Sequence, residues 1–188
     1  VAKRAAFNDL LIVVPGIGGS MLRDNEGPLW NPTLRLAGAL LVRHGGLIER
    51  LAKDNRHLAD PAFESEVQPY GLIEMGVTIP GLAGINCYKP LREALLTSLD
   101  LEPGDPVGGG PPANYFEFAY DWRRDVSISA EQLKRMVLRE LPRWNRLLPP
   151  GERARTVIVA HSMGGLVAKH YLVSRDSVSF TSFDLPLE

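Results

Sequence analysis

Two stretches of the chain are apolar at consecutive positions rather than alternate ones: Leu10-Leu11-Ile12-Val13-Val14 and Thr156-Val157-Ile158-Val159. A run apolar on both faces reads as a buried strand of a parallel sheet. Helical spacing recurs elsewhere. Tyr88–Leu99 carries Leu91, Leu95, Leu96 and Leu99 as a stripe, with Pro90 in the first turn. Leu133, Met136, Val137 and Leu141 mark a second helix. Ser129-Ala130-Glu131-Gln132 reads as its capping box, and Pro142 as the residue that ends or kinks it. Gly165–Leu172 reads as a third helix. Asn114–Tyr120 alternates aromatic and other residues and reads as a strand. Tyr70–Ile79 reads as one or two short strands, ended by Pro80-Gly81. Strands alternating with helices predict an α/β fold with a mostly parallel sheet and flanking helices, a single domain over residues 1–188.

The alternation breaks over residues 22–69. Asn25-Glu26-Gly27-Pro28 is a turn, Leu29-Trp30-Asn31-Pro32 a short apolar island, and Leu34–Leu41 and Leu47–Leu51 have helical spacing in places. This predicts an insertion above the sheet, a cap or lid, or else a plain surface helix packed on the core. His44 and His57 lie here without a second ligand at metal spacing and read as surface residues. Glu102–Pro112, with four prolines and Gly108-Gly109-Gly110, is a loop. No Lys-Ser/Thr follows its glycines, so it is not a phosphate loop.

The 188 residues suffice for one domain with a core, and the net charge of −1 gives no pull toward nucleic acid or an anionic membrane. One cysteine, Cys87, rules out an internal disulfide framework and a cysteine-based metal site. The longest apolar run near the start, Leu10–Pro15, is too short to span a bilayer. No transmembrane segment, metal or cofactor is expected, and a cytoplasmic location follows.

Chemistry concentrates after the second apolar strand. Ala160-His161-Ser162-Met163-Gly164 puts a serine on a tight turn between strand and helix, a nucleophile elbow. The turn strains the serine backbone and pushes Oγ out at the carboxyl end of the sheet. Ala160 stands where the usual motif has glycine, and Gly164 fills the other place. The structural alternative is a small-residue turn that only packs a helix on a strand. After the first apolar strand comes Pro15-Gly16-Ile17-Gly18-Gly19-Ser20, a glycine-rich loop with uncovered backbone N–H groups. A dinucleotide loop needs Gly-x-Gly-x-x-Gly, and Met21 occupies the last position. What remains is an oxyanion loop turned toward Ser162, or a simple strand-ending turn.

Three segments fall in one order: LLIVVPGIGGSML, FAYDWRRD and VIVAHSMGGLVAKHYL. Together they resemble the lecithin:cholesterol acyltransferase family, whose members have an apolar strand ending in Pro-Gly, a Tyr-Asp-Trp-Arg segment and a His-Ser-(Met/Leu)-Gly elbow. The middle of the chain, Gly76–Tyr88 with Ile79-Pro80-Gly81, is similar too, so the match spans most of Leu10–Leu172. The resemblance implies an α/β-hydrolase fold and ester chemistry on lipids: a lipid ester hydrolase or O-acyltransferase working through an acyl-serine. Carried over by position, Ser162 is the nucleophile, and the backbone N–H groups of Ile17 and Met163 form the oxyanion hole with Gly18 beside them. Asp121, Trp122 and Arg123 brace the wall near the site, and Trp30 resembles the family's lid-edge tryptophan.

The chain also departs from the family. The expected triad order is serine, acid, histidine. After Ser162 the acids are Asp176, Asp184 and Glu188, and the sole later histidine is His170, which precedes them all. His161 adjoins the nucleophile but points elsewhere on a tight turn. Ser177–Glu188 loses the resemblance, so the expectation is a fold truncated after the elbow helix, a shortened or frame-shifted copy. Without its base a serine nucleophile loses on the order of 10⁶ in rate. The expectation is therefore an esterase site inactive in this chain alone. The alternative is a non-catalytic remnant or a lipid-binding pseudoenzyme.

Overall fold

The computed structural model describes residues 3–31, 49–52, 57–74 and 88–174. The segments Leu34–Leu41 and Ile79-Pro80-Gly81, together with His44, Cys87 and the acids at 176, 184 and 188, lie outside the described residues.

The first apolar run is strand β1, Leu10–Val14, and all five residues are buried. Its neighbours are β5, Tyr115–Glu117, and β6, Thr156–Ala160. Both pair parallel with it, giving the order β5-β1-β6. The two faces of β1 enter different cores, as the two-residue side-chain period requires. Leu10, Ile12 and Val14 pack with Phe116, Leu133, Val137, Val167 and Tyr171. Leu11 and Val13 pack with Leu72, Tyr88, Leu101 and Tyr115. Each such side chain contributes about 1.5–3 kcal/mol when fully buried.

Three helices supply these two cores: α1, Lys89–Ser98, α2, Val126–Asn145, and α3, Met163–Val173. The α1 stripe of Leu91, Leu95 and Leu96 joins the Leu11–Val13 face, whereas α2 and α3 cover the other. The chain is thus a mixed α/β structure with a parallel sheet covered on both sides. Pro90 is in the first turn of α1, where its missing N–H costs nothing.

The expected start of α2 fails, and of the two readings of Pro142, ending or kinking the helix, the first does not hold. The helix begins a turn before Ser129, because Asp125 caps it by accepting the Ser127 N–H. An aspartate at that place outcompetes the Ser129 box, and Ser129 is buried inside the helix at 1% exposure. Pro142 does not end the helix, which continues to Asn145.

Residues 22–69 were expected to be an insertion or a lid, and their described flanks are strands. β2, Ser20–Asp24, pairs antiparallel with β3, Gly27–Trp30, and with β4, Gln68–Leu72. A second sheet of order β3-β2-β4 results. Leu22, Leu29 and Val67 are its buried centre, with Trp30, Leu51 and Trp122 packed around them. The Gly-rich loop after β4 and α1 is fastened to α2: Arg139 donates to the Pro106 carbonyl and Arg143 to that of Gly110. Both arginines also pair with Glu140, which is 1% exposed.

Candidate active site

The site forms where β1 and β6 end side by side. The ladder continues one residue past the strands, as His161 N–H donates to the Val14 carbonyl at 3.0 Å. The next residue, Ser162, has φ 52° and ψ −123°. Among the described residues it is the only non-glycine with positive φ. A side chain held in that region costs of order 1–3 kcal/mol and persists only where surrounding structure imposes it. Here the imposition comes from a tight turn: Gly164 N–H donates to the His161 carbonyl and Gly165 N–H to that of Ser162. Ser162 is exposed.

Two glycines make the turn possible. A Cβ on Gly164 would lie 2.5 Å from the carbonyl oxygens of Val14 and Pro15. A Cβ on Gly16 would lie 3.0 Å from both Ser162 Cβ and His161 Nδ1. The loop after β1 therefore touches the serine turn directly. Gly165, by contrast, has open space around its α-carbon.

The Pro15–Gly19 turn closes on itself through Gly19 N–H to the Gly16 carbonyl, with Gly18 at φ 70°. Four side chains from three other segments hold its backbone and that of Ser20 just after it. Tyr88 Oη accepts the Gly16 N–H at 2.8 Å. Tyr120 Oη donates to the Pro15 carbonyl at 2.9 Å. Trp30 Nε1 donates to the Gly18 carbonyl at 2.8 Å, and Trp122 Nε1 to that of Ser20 at 3.1 Å. Burial raises the pKa of both tyrosines above the ordinary phenol value, so both remain protonated at neutral pH. Ile17 is 64% exposed, and its aliphatic side chain carries no reactive group, so only its backbone can take part in chemistry. Met163 opens α3, and the first N–H groups of a helix have no partner within it.

The other candidate residues are brought to the flank of this turn. Trp30 and Trp122 meet edge to face, with ring centroids 5.4 Å apart. Asp121 and Arg123 form a two-point ion pair, Nη2 to Oδ2 at 2.7 Å and Nε to Oδ1 at 2.9 Å. Their side chains are 6% and 5% exposed, and Arg123 also donates to the Leu51 carbonyl. The pair thereby ties the segment after β5 to Leu51.

Among the described residues no histidine is hydrogen-bonded to Ser162. His161 Nδ1 lies 3.0 Å from Tyr88 Oη, and His170 Nδ1 is 3.3 Å from Ser174 Oγ. Two cavities, of about 310 and 430 Å³, are both lined by Tyr70, Gly71 and Pro106 and do not include Ser162. No group of three or more His, Cys, Asp or Glu residues suited to a metal occurs among the described residues. Nor is any described helix long and apolar enough to cross a membrane.

Sequence reasoning missed Tyr88 and Tyr120 as parts of the site. Tyr88 had been placed at a helix start and Tyr120 at a strand end; nothing in the local pattern says that their hydroxyls reach a loop 72 and 105 residues away. Comparison of the chain with protein-family models, curated proteins and solved structures finds no match.

Proposed function

We propose that the chain carries the nucleophile and the oxyanion loop of an α/β-hydrolase-type lipid ester hydrolase or O-acyltransferase, with Ser162 as the residue acylated. The observation that carries this reading is Ser162 itself, exposed between β6 and α3 with a strained backbone, its Cβ close against Gly16. Ser162 Oγ attacks an ester carbonyl, the carbonyl oxygen becomes an anion, and the leaving alcohol departs with a proton. An acyl-serine remains, which water or a second alcohol opens. The amides of Ile17 and Met163 are the donors assigned to the anion. One fixed donor of this kind is worth about 3–4 kcal/mol in the transition state.

The described residues hold no base against Ser162, so proton removal falls to a group outside them. An added base replaces such a group in the test. With imidazole present, a fluorophosphonate probe is expected to give one adduct on Ser162, read by mass spectrometry, and none in Ser162→Ala. Without imidazole, turnover of a short-chain chromogenic ester is expected to equal that of Ser162→Ala. No adduct at Ser162 under the first condition removes the acyl-transfer reading and leaves the non-catalytic one.

A further inference from the structure

Tyr88 sits inside the Pro15–Gly19 turn rather than beside it. Its Oη accepts the Gly16 N–H at 2.8 Å, and His161 Nδ1 lies 3.0 Å from the same oxygen. The ring presses on the far limb of the turn, where a Cβ on Gly19 would come 2.9 Å from Tyr88 Cε2. The tyrosine is itself fixed: its N–H donates to the Ile73 carbonyl at 2.9 Å, and its ring is buried with Leu11 and Val13. One phenol oxygen is therefore bonded to the residue before Ile17 and to the residue before Ser162. A phenol has one proton and two acceptor sites. Gly16 N–H takes one acceptor site, and the tautomer of His161 sets whether the phenol donates to Nδ1 or accepts from it at the other.

We propose that Tyr88 is a positioning residue for acyl transfer at Ser162, holding the turn that carries the Ile17 amide and the serine turn in one fixed relation through Gly16 and His161. The proposal rests on the reading of Ser162 as nucleophile. Tyr88 touches no reacting atom. Its effect is geometric, because an oxyanion donor works only if it is aimed before charge develops.

Tyr88→Phe removes the oxygen and keeps the ring. The test is the rate of fluorophosphonate capture by the full chain in imidazole, resolved into a maximal rate of inactivation and a probe affinity. The maximal rate is expected to fall roughly 10- to 100-fold, the size of effect that a small misplacement of a reacting group produces. Probe affinity is expected to stay unchanged, and hydrogen exchange at the Gly16 amide to quicken. A part that only supports folding would lower the melting temperature without touching the maximal rate of the folded protein. A second pair of variants works at the exposed partner. His161→Asn keeps a hydrogen-bonding amide, donor or acceptor, near the Nδ1 position and is expected to stay close to wild type, whereas His161→Ala is expected to lose rate as Tyr88→Phe does. Wild-type capture with an unchanged maximal rate in Tyr88→Phe, or equal rates in the two His161 variants, overturns the proposal alone. No capture by the wild-type chain overturns the reading of Ser162 and this proposal with it.

Discussion

The α-carbon of Gly164 is seated against the carbonyl of Pro15, so closely that a Cβ there would lie 2.5 Å from the oxygen. The same oxygen accepts the Tyr120 hydroxyl. The start of α3 and the end of β1 are consequently in backbone contact, and that contact sets where the serine turn lies.

Gly164→Ala is expected to destabilise the protein by about 3 kcal/mol, the upper part of the usual range for overpacking, because the atoms in the way are main chain and cannot rotate aside. Gly165→Ala, one residue on in open space, is expected to be neutral or slightly stabilising, as alanine is the better helix former. Urea unfolding of the two variants makes the comparison. Equal losses would mean that α3 does not approach β1 as described.

Ser162→Gly is expected to raise stability by about 0.5–2 kcal/mol while abolishing probe capture. Glycine relieves a strain of order 1–3 kcal/mol at φ 52° and returns part of it as unfolded-chain entropy. A lower melting temperature in Ser162→Gly than in wild type would show that the serine backbone is relaxed.

Asp121→Ala leaves the Arg123 guanidinium buried without its carboxylate. The expected loss is about 3–5 kcal/mol, as for other broken buried pairs. The double variant Asp121→Ala/Arg123→Ala is expected to lose less than the two single losses added together. Additive losses in denaturant titrations would mean that the two groups do not interact.

The Asp125 cap gives a pH dependence with a defined sign. The Ser127 hydroxyl and N–H both donate to its carboxylate and lower its pKa in the folded state. Its contribution is therefore complete above the ordinary carboxylate range and disappears as pH falls through the lowered folded value. Asp125→Ala is expected to cost about 0.5–2 kcal/mol at neutral pH and progressively less as pH falls through the lowered folded value. A difference between wild type and variant that persists undiminished in acid would contradict the cap.

What the sequence disclosed follows from the range of the interactions concerned. β1, β6, α1 and α3 were legible because unbroken apolar runs and leucine stripes are local. The Ser162 turn was legible because a serine flanked by small residues between strand and helix is local too. β2 and β3 were not, since Arg23, Asp24, Gly27 and Pro28 leave no period to read in strands of five and four residues. The start of α2 was misplaced because two capping signals lie four residues apart and only one is used. The hydrogen bonds of Tyr88 and Tyr120 left no trace in the pattern, for they depend on how distant segments meet.

Those long connections govern when the loop after β1 acquires its shape. Its backbone is held by hydroxyl and indole groups 72, 105 and 102 residues further along the chain. Contacts so far apart in sequence close late, after the intervening chain has lost most of its freedom. A half-collapsed chain thus has the serine but not the fixed loop opposite it, and the two meet only in the last stage of folding.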